Sequence, residues 1–258
     1  MATFLPMTTE ETGGAQLDIV LITGDAYVDH PAWGVAAIGR WLESHGYSVG
    51  IIAQPDWTDV EAFRTLGRPR LFFGVTAGNM DTMVNKFTAS RRLRSNDAYT
   101  PGGKVGSRPD RATIPYTGRA REAYPGVPII AGGVEASLRR LVHYDFWQDR
   151  VRGSILLDAK ADLLLYGMAE NTVVEVARRL DAGMTVEQCR DIPGTVYALG
   201  AKGEPPSGPD VIEAPSLEEC RKDKLAFNRV THLMYRESNP HCGKTIIQRH
   251  GSRVVVQN

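Results

Sequence analysis

An adjacent aspartate and histidine, Asp29 and His30, stand in the stretch GDAYVDHPAWG, which runs from Gly24 to Gly34. A histidine beside a carboxylate can ligate a metal ion or move a proton near neutral pH, and the carboxylate can select the histidine tautomer. The same pair, followed by Pro31, can instead form a turn that begins a helix. A strand-to-helix connection usually needs only about 2 to 6 residues. The greater length of this loop favours contact with a ligand, and both interpretations stay open.

Two further loops place small and polar residues at the ends of predicted strands. Glycine lets a flat ligand approach the backbone closely, because it has no side chain. The first loop, VTAGNMDTM, offers Thr76, Gly78 and Asn79, and the second, AGGVEASLRR, offers Gly132, Gly133 and Glu135. Three such loops at strand ends indicate one shared cleft. We therefore predict a cofactor site that comprises these six residues together with Gly24, Asp29, His30 and Gly34. The alternative is that the strands simply end in turns.

A basic segment provides a second candidate surface. Residues 91–121 contain eight basic and two acidic residues, a local charge of +6. The basic residues are Arg91, Arg92, Arg94, Lys104, Arg108, Arg111, Arg119 and Arg121. With Tyr99 and Tyr116 interleaved, the segment could hold RNA or another phosphate ligand. It could also be a solvated loop, or its arginines could pack against other parts of a larger protein.

Several well-known catalytic motifs are missing from the sequence. No GxGxxG follows a predicted strand, and GxxxxGK[ST], GxSxG and HExxH do not occur. Ordinary dinucleotide, P-loop and hydrolase functions are therefore disfavoured. The three cysteines, Cys189, Cys220 and Cys242, form neither CxxC nor CxxxCxxC. We accordingly predict no metal ligands and no catalytic residues within this chain.

The composition is that of an ordinary soluble protein of 258 residues, with 42% hydrophobic residues and 30 basic against 30 acidic side chains. Global charge therefore predicts neither a nucleic-acid nor a membrane partner. No apolar run approaches the roughly 20 residues that span a bilayer, and the polar N-terminus does not resemble a signal peptide. The odd number of distant cysteines argues against a disulfide framework. We expect a cytoplasmic protein.

Short apolar runs alternate with helical patterns over residues 15–183 and position these loops. The predicted strands cover residues 17–24, 49–54, 70–78, 127–133 and 161–167. This order predicts an α/β fold with a doubly wound, five-stranded parallel sheet of the Rossmann or flavodoxin-like type. In such sheets ligands bind beyond the carboxyl ends of the strands. The candidate residues follow those ends.

Helical periodicity identifies the buried faces of two helices. The first would bury Val35, Ile38, Trp41 and Leu42 and stop at Gly46, and the last would bury Val173, Val176, Ala177 and Leu180 and stop at Gly183. Residues 91–116 lack a hydrophobic period and predict an insertion or long loop.

Residues 184–258 form a predicted C-terminal extension. Ser216 and Glu219 occupy capping-box positions of a helix, and two strands flank HGS near the end. Because the sequence stops within strand-like residues, we expect it to be part of a longer polypeptide.

The ordered motifs GDAYVDHPAWG, GIIAQPDW, GVTAGNMDTMV, DAYTPGGKVGSRPDRA, PIIAGGVEASLRR, DFWQDRVRGSILLDAKADLLLYGMAE and DIPGTVY closely resemble the N-terminal half of YgiQ-type radical SAM proteins. The resemblance implies a cobalamin-binding-like Rossmann domain that leads into a radical SAM core. In that core CxxxCxxC holds a [4Fe-4S] cluster that cleaves S-adenosylmethionine. Because the triplet is absent here, we expect this chain to be a non-catalytic module whose partner is the core of the same polypeptide. The substrate does not follow from the resemblance.

Cobalamin is a further cofactor that the resemblance implies. Domains that ligate cobalt through a histidine use DxHxxG, whereas here Asp29 directly precedes His30 and Gly34 follows one residue too late. We therefore do not expect His30 to ligate cobalt. The loops at Thr76 and at Gly132–Gly133 still match the places where such domains hold the corrin and its nucleotide tail. Binding of cobalamin or of a nucleotide remains an open expectation.

Overall fold

The computed structural model describes residues 4–239 and 242–258. Its strands are β1 (Ile19–Thr23), β2 (Val49–Ala53), β3 (Phe72–Thr76), β4 (Ile129–Gly132), β5 (His143–Asp145), β6 (Arg150–Arg152), β7 (Leu163–Leu165), β8 (Thr195–Leu199), β9 (Val211–Ala214), β10 (Thr245–His250) and β11 (Arg253–Gln257). The α-helices are α1 (Gly34–Ser44), α2 (Thr82–Lys86), α3 (Thr113–Ala123), α4 (Gly133–Leu138), α5 (Ile155–Ala159), α6 (Glu170–Asp181), α7 (Leu217–Lys222) and α8 (Lys224–Arg236). Short 3-10 helices occupy Glu61–Phe63, Pro101–Gly103 and Val186–Cys189.

Five parallel strands form one half of the main sheet, in the order β2-β1-β3-β4-β7. All five residues of β1 are buried, as a strand covered on both faces requires. The chain moves outward from β1 to β2 and then crosses back to β3. Strand order therefore reverses between β1 and β3, which is where an open α/β sheet leaves a crevice.

The prediction of a five-stranded sheet is wrong in strand number. Across the described residues, the main sheet has nine strands, because β8, β11, β10 and β9 continue it beyond β7. β8 pairs antiparallel to β7, and β11 pairs antiparallel to β8, so the whole sheet is mixed. The added strands cover the backbone edge that the three-residue strand β7 would otherwise expose.

Helices cover both faces of the parallel strands. α1 and α6 pack over Ile19, Leu21 and Phe72, whereas α3 packs over Val20 and Phe73 on the opposite face. In α6 the predicted residues Val173, Val176 and Ala177 are buried, and Gly183 follows with a φ of 81°.

The buried face predicted for α1 is wrong at one position. Val35 and Leu42 are buried, but Trp41 is 39% exposed and its ring lies against His45. Gly39 takes the inner position instead, because a Cβ there would lie 2.4 Å from a methyl group of Leu5. The segment before β1 therefore covers the middle of this helix.

The C-terminal residues contain the predicted helix start and hairpin. Ser216 and Glu219 make both hydrogen bonds of a capping box at the start of α7. β10 and β11 form an antiparallel pair around residues 250–253. None of the helices in the described ranges has the length and apolar character needed to cross a bilayer.

Candidate functional site

A cavity of about 510 Å³ opens at the carboxyl ends of β1, β3, β4 and β7. Its volume lies in the range of about 300 to 1,000 Å³ that is typical of small-molecule sites. Six of the ten predicted cofactor contacts line it: Gly34, Thr76, Gly78, Asn79, Gly132 and Gly133. The structure thus brings together three loops that are far apart in the sequence.

The deep part of the cavity is apolar. Leu21, Phe72 and Ile130 line it from the sheet, and Val35, Ile38 and Val173 line it from α1 and α6. Gly74 belongs to the same sheet face, where a Cβ would lie 2.5 Å from a methyl group of Leu21. This surface is suited to an apolar ring, because the transfer of an apolar group from water to an apolar surface lowers the free energy.

Glycines at the mouth leave room where side chains would close it. Gly78 has a φ of +112°, and a Cβ there would lie 2.1 Å from Asp25 Oδ1. Gly133 has a φ of +80°, and a Cβ there would lie 2.3 Å from Thr76 Oγ1. A side chain at either position would be strained and would collide with a neighbour. The backbone of Gly132 is extended, a conformation that any residue can adopt. The consequence of glycine at this position is therefore the space that it leaves in the cavity.

Asn79 joins two of the loops at the rim. Its Oδ1 accepts a hydrogen bond from Gly34 N at 2.9 Å, and its Nδ2 donates to Ala32 O at 3.3 Å. Its backbone N donates to Asp25 Oδ2 at 2.6 Å. Burial raises the pKa of Asp25, while the Asn79 hydrogen bond and Arg108 act in the opposite direction. Asn79 therefore fixes the start of α1 against the loop after β3.

Two helices begin at the cavity. Gly34 and Val35 of α1 line it, as do Ala169 and Glu170 at the start of α6. The first turn of α1 has no acidic residue and no side-chain cap. The first turn of a helix carries partial positive charge, so the α1 end of the cavity favours a negatively charged group, whereas Glu170 already occupies the first turn of α6.

The other four predicted contacts do not line the cavity. Gly24 lies against Ala77, whose carbonyl oxygen would be 2.2 Å from a Cβ at position 24. Asp29 pairs with Arg40 at 2.5 Å, and the hydrogen bonds from that guanidinium lower the pKa of the carboxyl. His30 is exposed, and its Nδ1 accepts a hydrogen bond from Ala32 N at 3.1 Å, as the turn interpretation predicts.

Glu135 is fully buried and has a structural role. Its carboxylate accepts hydrogen bonds from Thr82 N at 2.9 Å and from Thr113 N at 3.0 Å, the first residues of α2 and α3. The carboxylate therefore satisfies two helix N-termini at once.

Four of the eight basic residues in residues 91–121 form ion pairs within the chain. Arg108 is buried between Asp25 and Asp97, and Arg111 pairs with Asp145. Arg119 and Arg121 pair with Glu122 and Asp162. These four arginines are engaged by carboxylates and so do not support the predicted RNA or phosphate surface. Of the other basic residues, Arg91 lies over the Phe146 ring and Arg94 donates a hydrogen bond to Val84 O.

One cavity residue comes from within this segment and was not among the predicted contacts. Tyr99 lines the cavity and lies edge to face with Trp33 at a ring-centroid distance of 5.4 Å. Its position follows no strand, so the strand-end pattern could not identify it. Over the part of the chain that the structure describes, no cluster of three or more His, Cys, Asp or Glu residues could hold a metal ion.

Comparison with known proteins identifies the family. The family model described as radical SAM N-terminal matches residues 4–258. A UPF0313 protein of Geobacter sulfurreducens is 54% identical over 258 residues, which cover 99% of this chain and 42% of that relative. A UPF0313 protein of Rhodopseudomonas palustris is 53% identical over 277 residues, covering 100% of this chain and 41% of the relative. The chain thus spans less than half the length of these relatives.

Among solved structures, the chain is similar to the radical S-adenosylmethionine methyltransferase TsrM of Kitasatospora setae, which was solved with cobalamin and a [4Fe-4S] cluster bound. The TM-score is 0.45 at 17% identity, covering 71% of this chain and 27% of TsrM. The family model and the relatives, which match the whole chain, confirm the resemblance that the motifs carry. The chain belongs to the radical SAM N-terminal family, within the UPF0313 group of YgiQ-type proteins.

Proposed function

We propose that this chain is the N-terminal module of a radical SAM iron–sulfur enzyme and that its cleft binds a cofactor, either cobalamin or a nucleotide. The observation that carries the proposal is the cavity of about 510 Å³ at the strand ends, apolar in its depth and lined by glycine at its mouth. In open α/β sheets this position is the usual one for such ligands.

The residues of the cavity fit a planar ring that continues into a polar group. The ring would contact Leu21, Phe72 and Ile130, and a phosphate would approach the start of α1 near Gly34. Both cobalamin, through its nucleotide tail, and a free nucleotide have this chemistry. No histidine of the described chain lines the cavity, so the cavity residues would supply no histidine ligand to a bound cobalamin. When bound, cobalamin supplies radical or group-transfer chemistry at its metal.

The cluster and S-adenosylmethionine belong, in this proposal, to a radical SAM core elsewhere in the same polypeptide. Cys189 and Cys220 are buried, Cys242 is exposed, and all three are free thiols. Free thiols are also the usual state in the cytoplasm, where we place the protein. Anaerobic reconstitution of residues 1–258 with iron and sulfide should leave no bound [4Fe-4S] cluster, whereas the complete polypeptide should acquire one.

Exposed apolar side chains follow the strand ends near the cleft, and one of them, Val134, lines the cavity. Val134, Leu138 and Met168 are 44%, 59% and 88% exposed, and all three follow the ends of β4 or β7. Exposed apolar groups gathered near a cleft are typical of an interface. We propose that the core of the complete polypeptide packs over the mouth of the cleft.

Titration of the purified chain with hydroxocobalamin and, separately, with ATP tests the cleft by calorimetry. We expect at least one of the two to bind, and we expect Gly132→Leu to abolish binding. Because Gly132 has extended backbone and lines the cavity, leucine there fills the site without backbone strain. Gly200→Leu is the matched control, since a Cβ at Gly200 meets nothing within 4 Å and the residue is exposed.

Each result has a defined meaning. Binding that is lost in Gly132→Leu and kept in Gly200→Leu supports the cleft as the cofactor site. Failure of the wild-type chain to bind either ligand up to millimolar concentration would overturn the proposal. Unchanged binding in a folded Gly132→Leu chain would place the ligand elsewhere.

A further inference from the structure

Tyr99 reaches the cleft from outside the strand-end loops. It lies in residues 97–108, between α2 and α3, and is half-buried. Although this segment is largely irregular, Tyr99 lines the same cavity as Gly34, Thr76 and Gly132. It is the aromatic side chain that residues 97–108 contribute to that lining.

Both the ring and the backbone of Tyr99 are held in place. Trp33, which precedes α1, contacts it edge to face at 5.4 Å and an interplanar angle of 75°. The backbone of Tyr99 is fixed as well, because its N donates to Asp97 Oδ1 at 2.9 Å and its O accepts from Ala26 N at 2.9 Å. An aromatic ring restrained in this way can contact a ligand with little further loss of conformational freedom.

A buried ion-pair network anchors the segment that carries Tyr99. Arg108 Nη1 lies 2.8 Å from Asp25 Oδ1, and Arg108 Nη2 lies 3.2 Å from Asp97 Oδ2, with all three side chains at most 5% exposed. Arg108 Nη1 also donates to Ala77 O at 3.2 Å. Thr100, the residue after Tyr99, accepts a hydrogen bond from Gln54 Nε2 at 2.7 Å. The segment is thus joined to the loops after β1, β2 and β3.

We propose that Tyr99 is a ligand-contacting residue of the cleft and that its ring stacks on a planar aromatic or conjugated group of the bound cofactor. This inference rests on the proposed function of the cleft. It assigns residues 97–108 as the element that makes the site selective for ligands with a flat face. The buried network of Arg108, Asp25 and Asp97 sets the position of that element.

The test compares Tyr99→Ala, Tyr99→Leu and Tyr99→Phe by calorimetric titration with whichever probe binds the wild-type chain, hydroxocobalamin or ATP. Loss of one aromatic stacking partner should weaken binding by about tenfold in the Ala and Leu variants. Tyr99→Phe keeps the aromatic face and should bind within about twofold of wild type. Tyr235→Ala is the control, since Tyr235 is 83% exposed on α8 and away from the cavity.

The outcomes separate this inference from the function on which it rests. Binding by the wild-type chain that is unchanged in folded Tyr99→Ala and Tyr99→Leu chains would overturn the role of Tyr99 and leave the cleft proposal intact. Absence of binding by the wild-type chain would overturn both. Tyr99→Leu keeps apolar bulk against Trp33, so it decides the matter if the alanine variant does not fold.

Discussion

The two regions at the carboxyl edge of the sheet differ in the charge of their side chains and in how completely those side chains fill the space. On the side of α1 and α6, the cleft is lined by apolar residues and by glycines. On the other side lies an ion-paired region, defined as Asp25, Asp81, Asp97, Arg108, Arg111, Arg139 and Asp145. Its pairs are Arg108 with Asp25 and Asp97, Arg139 with Asp81, and Arg111 with Asp145. Side chains fill one region, whereas small residues leave the other open.

The difference shows that the charged residues of the ion-paired region stabilise the fold, whereas the glycines shape the candidate site. Removing a charge from water costs free energy unless a partner compensates it, so each buried arginine of the ion-paired region is committed to a carboxylate. The cleft instead depends on positions where a side chain is missing. Substitutions in the first region should change stability, and substitutions in the second should change ligand binding.

The largest effect should come from Arg108→Leu. The substitution leaves the carboxylates of Asp25 and Asp97 buried without their counter-ion. We expect the free energy of unfolding to fall by about 3 to 5 kcal/mol, measured by urea unfolding. Arg92→Leu is the matched control, because Arg92 is exposed, and its effect should stay within about 0.5 kcal/mol. A loss below about 1 kcal/mol in Arg108→Leu would contradict the structural role of the network.

A pH-dependent loss of stability should come from His143, next to the ion-paired region. Burial, with help from Arg139 and Arg152, lowers the pKa of His143 to about 4, and Asp145 opposes the shift. The unfolded chain, with a histidine pKa near 6.5, takes up the proton first as the pH falls. Stability attributable to His143 is therefore present above pH 6.5 and is lost between about pH 6.5 and 4, on the order of 3 kcal/mol.

Urea unfolding between pH 7 and 4.5 checks this pH dependence in His143→Gln. The variant should lose less stability over that range than the wild-type chain does. Some dependence should remain, because burial also lowers the pKa of His250 to about 4. His232→Gln, at an exposed histidine, should leave the dependence unchanged. An identical pH dependence in His143→Gln and wild type would show that His143 is not held neutral.

A smaller effect should follow from Asn79→Ala at the boundary between the two regions. The substitution removes the side-chain hydrogen bonds to Gly34 N and Ala32 O but keeps the backbone contact to Asp25. We expect a loss of about 1 kcal/mol in unfolding free energy, together with weaker ligand binding because the start of α1 is released. Asn228→Ala, at an exposed position of α8, should change neither quantity. Wild-type affinity in Asn79→Ala would show that ligand binding does not depend on the Asn79 side-chain hydrogen bonds.

The smallest effect should come from His30→Ala. His30 is exposed and lies outside the cavity, where its imidazole accepts one hydrogen bond within its own turn. We expect ligand affinity to change less than about twofold, by the same titration. A tenfold loss would instead make His30 a ligand contact and would move the site toward the loop after β1.

Much of the fold follows from local patterns in the sequence. The apolar run at Ile19–Thr23 predicts a strand that is buried on both of its faces. The alternation of strands and helices then predicts parallel pairing. Gly46 and Gly183 mark the ends of helices, and Ser216 with Glu219 marks the start of another. Because ligand sites lie at the switch point of such sheets, six of the cavity residues could be named in advance.

The remaining features depend on contacts between distant residues. Arg108 and Asp25 meet across the strand ends, and nothing near either residue in the sequence identifies its partner. For the same reason Tyr99 seemed to belong to a basic surface and not to the cleft. β9 is only partly buried at the edge of the sheet, and its parallel pairing with β10 joins segments that are far apart in the sequence, so this pairing could not be read from periodicity.

Hydrogen–deuterium exchange of the chain, with and without a saturating ligand, tests the central claim most directly. Amides around residue 34 and in residues 76–79, 132–134 and 167–170 should become protected on binding of hydroxocobalamin or ATP, and so should those beside Tyr99. Amides of the exposed residues 91–95 should not change. Protection confined to residues 91–95, with the strand-end loops unchanged, would contradict the assignment of the cleft as the binding site.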